Sequence, residues 1–178
     1  CADIGNPAPA GTQSLSGTTW TIKGGGSDIQ GTADAFHYVW QTMAANGSLS
    51  ADVTAQSASS AWAKAGVMVR LSSAAGSPYY AVFITPSYSV DVQWRAASGG
   101  GTSAFHTSTG AVPIYLQIVR SGTTFSAFTS SNGTTWTAVS GSTHSLSDLA
   151  GSLLEGLAVC SHTSSALSTV TMTSVITS

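Results

Sequence analysis

Arg70 and Arg95 are two of only five basic residues in a chain of 178, and both fall on runs where polar and apolar side chains alternate. A guanidinium is planar and donates hydrogen bonds in a fixed fork. Two of them on one face, with the amides of Gln41 and Gln93 and the carboxylate of Asp91 nearby, could bind neighbouring hydroxyl groups. His37 belongs to the same inferred polar face. Trp62 lies in a loop between strands, and Tyr79, Tyr80 and Tyr88 border the Ser77-Pro78 and Pro86-Ser87 turns. A ring in such a place offers a flat apolar platform for the CH face of a pyranose. The chemistry these residues can do is therefore hydrogen bonding and stacking, and the expected ligand-binding set is His37, Gln41, Arg70, Gln93, Arg95, Trp62 and Tyr80. For each arginine the plain alternative is a solvated surface charge. Trp40 and Trp94 alternate in phase with apolar residues and are expected in the core, as is Trp20.

Other chemistries find less support. A glycosidase needs two facing carboxyl groups, roughly 5–5.5 Å apart for retention and 6.5–9.5 Å for inversion. The inferred polar face carries one, Asp91, and Glu155 lies far along the chain. No Gly-x-Ser-x-Gly elbow is present, and Gly24-Gly25-Gly26 lacks the Lys-Ser/Thr of a phosphate loop. The expectation is thus no catalytic residue and no enzyme activity. His37, His106, His144 and His162 show no metal-ligand spacing. Asp28 and Asp34 flank a Gly-containing loop of a kind that could surround Ca²⁺, but no metal ligand is assigned and no cofactor is expected.

Composition points the same way. Five basic and seven acidic residues leave 7% charged side chains, against about a quarter in most soluble domains. Ser, Thr, Gly and aromatics take their place. Hydrophobic content of 42% is ample for a core, so the low charge does not signal disorder. Phosphate-backbone binding needs clustered Lys and Arg, which excludes nucleic acid. No apolar run approaches the roughly 18 residues of a membrane span. The chain opens at Cys1 without an initiator Met, which suits a mature secreted segment whose signal has been removed. In that setting Cys1 and Cys160 are expected to form a disulfide. The alternative is a free buried Cys160.

The elements that must position these residues read as strands. Glu appears once and Lys twice, and turn residues punctuate nearly every ten positions. Period-2 alternation predicts strands at Thr19–Lys23, Phe36–Thr42, Leu49–Ser57, Ala65–Arg70, Tyr80–Thr85, Ser89–Ala96, Ile114–Ser121, Thr124–Ser130, Thr135–Val139, Leu153–Ser161 and Leu167–Thr177. Turns are predicted at Asn46-Gly47, Gly99–Gly101, Ser121-Gly122 and Asn132-Gly133, with one helical turn possible at Ser147–Ser152. No repeat or linker divides residues 1–178. Alternate side chains point to opposite faces. The expected core sets are Phe36/Tyr38/Trp40, Ala65/Val67/Val69, Val90/Val92/Trp94 and Ile114/Leu116/Ile118, opposite the polar face described above.

Five segments in order carry a further resemblance: Gly26–Gln41, Trp62–Arg70, Gln93-Trp94-Arg95, Ser130–Trp136 and Gly156–His162. They resemble a bacterial extracellular domain family of the concanavalin-A-like lectin/glucanase superfamily. Where members of that family carry Asp before Gly, this chain has Asn46 and Asn132, which keeps the turns and removes possible carboxylate ligands. The resemblance implies an all-β jelly-roll sandwich of two antiparallel sheets, appended to a larger secreted polysaccharide-degrading enzyme. The expected function is non-catalytic recognition of a neutral polysaccharide or oligosaccharide by a monomeric module. An extracellular protein-interaction module and a glycoside hydrolase are the alternatives.

Overall fold

The computed structural model describes residues 1–178 and contains fifteen strands and no helix. In chain order these are β1 (Ala2–Ile4), β2 (Thr12–Ser16), β3 (Thr19–Gly26), β4 (Phe36–Met43), β5 (Asn46–Gln56), β6 (Lys64–Arg70), β7 (Tyr79–Thr85) and β8 (Ser89–Arg95). There follow β9 (Thr102–His106), β10 (Ile114–Ser121), β11 (Thr124–Ser130), β12 (Thr137–Ala138), β13 (His144–Ser145), β14 (Leu153–Cys160) and β15 (Thr163–Thr177). A seven-stranded sheet runs β1-β4-β14-β6-β7-β8-β9, and an eight-membered sheet runs β12-β11-β10-β5-β15-β3-β2 with β13 paired to β11. Every pairing is antiparallel. This is the expected jelly-roll sandwich. Ser147–Ser152 forms turns rather than a helical segment.

Turn chemistry sets the hairpins. Gly122 closes β10 onto β11 with φ of 62°, a conformation that glycine adopts without steric cost. At the β11 end, Asn132 Oδ1 accepts from the Thr134 and Thr135 amides at 2.9 and 2.8 Å, so the side chain caps the turn. Trp136 then meets Tyr115 edge-on at 6.4 Å.

The core differs from the sequence reading in one respect that governs everything else. Between the sheets lies a cluster of 25 buried residues, including Val67, Val82, Val92, Leu116 and Ile118. A second cluster of 10 lies on the far side of the seven-stranded sheet, built from Ile4, Ile29, Phe36, Tyr38, Met68, Tyr79, Ala81, Phe83, Ala158 and Cys160. Residues of β1 and of the Gly26–Ala35 connection contribute to it, so the outer face is covered where sequence alternation implied solvent. Strands β6 and β7 are consequently buried at every position. Each large apolar side chain so buried contributes about 1.5–3 kcal/mol, which makes this outer layer a true second core.

Register shows which residues share that face. Tyr38 pairs across to Ala158, Gly66, Phe83, Asp91 and His106, and Trp40 to Gly156, Met68, Ala81, Gln93 and Ala104. Directly paired residues point to the same side. Phe36, Tyr38 and Trp40 therefore lie on the outer face with Arg70, Gln93 and Arg95, not between the sheets. His37, Val39 and Gln41 take the inner side. Alternation fixed the two sets within β4 correctly but assigned them to the wrong faces, because both faces of this sheet are partly apolar.

The expected disulfide is absent: both cysteines are free. Ala2 pairs with Tyr38 and Ile4 with Phe36, which carries Cys1 away along β4. Cys160 lies across β4 from β1 and in the opposite direction, its Sγ 3.4 Å from the Gly26 carbonyl oxygen under the covering segment. Cys1 is exposed, and its sulfur accepts from Gln13 Nε2 at 2.8 Å.

Candidate ligand-binding cleft

Arg70 and Arg95 are not available to a ligand. Both are fully buried, and Asp34 sits between them. Arg95 donates from Nη1 and Nη2 to the two Asp34 oxygens at 2.8 and 2.7 Å, and Arg70 Nη1 reaches Asp34 Oδ2 at 3.3 Å. One carboxylate cannot neutralise two guanidinium groups, so backbone carbonyls take up the excess positive charge. Arg70 donates to Ser72 O at 2.7 Å and Ala74 O at 2.6 Å. Arg95 donates to Gly31 O and Gly100 O, each at 3.0 Å, and to Ser77 O at 3.1 Å. The guanidinium of Arg70 lies 5.3 Å from the Phe36 ring centre and that of Arg95 5.0 Å from Tyr79. The arginines tie three loops onto the outer face. They are a fastening, and the expected sugar-binding role for them is corrected.

The other expected residues separate as well. Tyr80 is fully buried between the sheets, stacked on Phe125 at 5.5 Å with its hydroxyl donating to Ser142 O at 2.6 Å, so it is no rim platform. His37 is buried at the β1–β4 edge, its ring nitrogens 2.7 Å from Asp3 Oδ1 and 2.7 Å from Gln13 Oε1. Gln41 lies on the inner side beside Glu155, to which its Nε2 donates at 2.9 Å. Only Gln93 and Trp62 of the original set come together.

They meet in a cleft of about 370 Å³ on the outer face, beyond the end of the second core. Asp91 and Gln93 on β8 form its floor, His106 and Ala104 rise from β9, and Trp62, Lys64 and His162 line the side. Ala104, paired with Gln93, leaves the floor open there. Trp62 stacks on Tyr88 with ring centres 3.7 Å apart and planes 12° from parallel. His106 stands edge-on to both, at 5.7 Å from Trp62 and 5.8 Å from Tyr88. The Ser60 hydroxyl accepts from the Trp62 amide at 3.2 Å and meets His162 Nδ1 at 3.2 Å, fixing the loop that presents the indole.

The polar floor is unusual in what it leaves open. Gln93 is 1% exposed, and its Oε1 has no hydrogen-bond partner. Asp91 is 2% exposed, and burial raises its pKa from the usual 3.8 to about 6, with the charges of Lys64 and His106 opposing that shift. By contrast Asp28 is fully engaged, by Lys64 Nζ at 2.5 Å, by the Ile29 amide at 2.7 Å and by His162 Nε2 at 3.3 Å. Both acids that the sequence offered to a cation, Asp28 and Asp34, thus serve the chain's own basic side chains. Asp91 was legible as a polar-face residue. Tyr88 was legible as an aromatic at the Pro86-Ser87 turn, whereas His106 and His162 came from separate segments that no spacing in the sequence links.

A larger cavity of about 720 Å³ lies at the end of the sandwich, between the Thr107–Ile114 and Ser130–Ser140 segments. Its lining includes neither an aromatic ring nor an ionisable side chain. It offers hydroxyls but no platform and no fixed charge, so the smaller cleft is the stronger candidate.

No protein-family model and no curated protein matches the chain. Solved structures do. A functionally unknown protein from Saccharomyces cerevisiae superposes with a TM-score of 0.76 at 14% identity, covering 99% of this chain and 95% of that one. Xylan β-1,4-xylosidase from Bacillus halodurans C-125 matches at 0.56 and 11% identity over 87% of this chain and 32% of its own. The alginate lyase from Klebsiella pneumoniae matches at 0.50 and 10% identity, over 75% and 59%. The chain spans about a third of the xylosidase. At these identities the likeness is one of fold, a jelly-roll sandwich of two antiparallel sheets.

Proposed function

We propose that this protein is a non-catalytic carbohydrate-binding module that takes a neutral glycan in the Asp91–Trp62 cleft. The observation that carries the reading is the floor. Asp91 and Gln93 are nearly inaccessible to bulk water, yet an acceptor on Gln93 has no partner, and the charges of Lys64 and His106 only partly offset the burial of Asp91. Buried acceptors left open are costly, and hydroxyl groups of a sugar are donors of the right kind. A carboxylate can accept from two adjacent hydroxyls, and the Gln93 amide can accept from one and donate to another. Trp62, backed by Tyr88, supplies the apolar wall on which a pyranose ring packs.

Charge supports a neutral ligand. Lys64, the cleft's permanent cation, is paired with Asp28, so no free positive charge is left for a uronate or sulfate. Catalysis gains little support from the same geometry. Of the two carboxylates near the cleft, Asp28 is held by Lys64 and His162 while Asp91 stands alone. The likeness of fold to a xylosidase region and to a lyase agrees with a polysaccharide setting, and we place the module in a secreted, larger enzyme.

A glycan array spanning β-glucans, mannans, xylan and chitin, followed by titration of the best ligand, tests the reading. Asp91→Asn and Trp62→Ala should each weaken binding at least about tenfold while the fold is kept, the scale expected for a lost charge-assisted hydrogen bond or stacking wall. Wild-type affinity in both variants, or no neutral glycan bound at all, overturns it. Product release from the same glycans would move the enzyme reading ahead.

A further inference from the structure

The free edge of β4 carries a second cleft. β1 covers β4 only from Phe36 to Tyr38, so the rest of β4 pairs with β14 on one side and with no strand on the other. Beside this edge, between the two sheets, a cavity of about 310 Å³ is walled by Trp20, Val39, Leu157 and Val175, with Gln41, Glu155 and Thr177 as its polar part. That volume is at the lower end of the range for small-molecule sites. It is separate from the Asp91 cleft. Glu155 shares a register row with Gln41 and Val69 on the inner side of the sheet, whereas Asp91 faces outward.

Glu155 is 4% exposed. Its Oε1 accepts from Gln41 Nε2 at 2.9 Å, and that nitrogen also donates to Thr177 Oγ1 at 3.1 Å. Its Oε2 has no partner. Burial raises the pKa of Glu155, with the Gln41 hydrogen bond opposing. Four of the chain's five basic side chains are committed elsewhere. Lys64 is paired with Asp28, Arg70 and Arg95 with Asp34, and Arg120 donates to the carbonyls of Ala44, Gly122 and Gly151. A carboxylate kept from water with one oxygen open is unfavourable unless a donor or cation completes it. Here it stands at an apolar cleft that also holds an indole, and an indole attracts cations through its π face.

We propose that this edge cleft binds a protonated primary amine carried on a compact ring or short alkyl body. The ammonium pairs with Glu155, its remaining donors reach polar atoms at the rim such as Thr177 Oγ1, and the body packs on Trp20 and Val175. A neutral hydroxyl compound of the same shape lacks the charge that Glu155 requires. Two sources present this group, an amino sugar and an alkylamine, and they share the chemistry.

The test is titration of ¹⁵N-labelled protein with glucosamine and cyclohexylamine, against N-acetylglucosamine and cyclohexanol as their uncharged counterparts. Shifts should centre on Gln41, Glu155, Thr177 and the Trp20 indole. Each binding amine should exceed its neutral counterpart at least about tenfold, the ratio for losing one charge-assisted contact. Glucosamine alone binding identifies an amino-sugar site, and both amines binding identifies a general amine site. The isosteric Glu155→Gln should lose the preference for the amine. Neutral analogues binding as well as amines, an unchanged preference in Glu155→Gln, or no shift at this edge with either amine overturns the proposal. The wild-type comparison of amine with neutral analogue stands even if the variant does not fold.

Discussion

Arg95 holds Asp34 through two parallel hydrogen bonds of 2.7 and 2.8 Å, and both side chains are shielded from solvent. Asp34 belongs to the connection that covers the outer face, and Arg95 to β8. The pair therefore joins the cover to the sheet. Removing one partner would leave a buried charge without its complement, which typically costs about 3–5 kcal/mol. Arg95→Ala and Asp34→Ala should each lower stability by that order in urea unfolding followed by Trp fluorescence. The double variant should cost less than the sum of the two. Full additivity would show that the two groups do not act as a pair.

Asp91 should impose a pH slope on stability. Its folded pKa of about 6 lies above the usual 3.8, so between these values the folded state holds the proton more tightly than the unfolded state. Stability from this group is present below pH 4 and declines as pH rises toward 6. Asp91→Asn should flatten that part of the profile and be more stable than wild type at pH 7. A wild-type profile that rises through this window, unaltered in the variant, would contradict the assignment. The same ionisation should govern ligand affinity in the opposite sense, since the carboxylate form accepts sugar hydroxyls best.

The two thiols should differ in reactivity by position. Cys1 is exposed, whereas Cys160 is buried and burial pushes its pKa to about 12. Thiolate is the reactive form. An aromatic disulfide reagent should therefore titrate one thiol rapidly in native protein and two after denaturation. No reactive thiol under denaturing, non-reducing conditions would restore the disulfide, and two thiols that both react slowly in native protein would contradict the exposure of Cys1.

Tyr80 should behave as a core residue. Its hydroxyl donates to Ser142 O at 2.6 Å, and its ring stacks on Phe125. Tyr80→Phe should cost about 1 kcal/mol, the usual net contribution of one buried hydrogen bond, and leave glycan affinity unchanged. Loss of affinity without loss of stability would return Tyr80 to the binding surface.

The sequence by itself determined the class of fold, because period-2 alternation and Gly/Asn turns are local properties that survive any packing. It determined that β8 places Asp91, Gln93 and Arg95 on one side and Val90, Val92 and Trp94 on the other, and the structure keeps both sets intact. It could not determine which side meets the other sheet, since alternation has a period but no sign. In β4 the aromatic set took the outer face because the Gly26–Ala35 connection and β1 supply a second layer there. The same layer turned Arg70 and Arg95 from expected ligands into buried fastenings, once Asp34 came to lie between them. The cleft, too, belongs to tertiary structure alone. Trp62, Asp91, His106 and His162 come from four separated segments, and only the register of β6, β8, β9 and β14 brings them to one place.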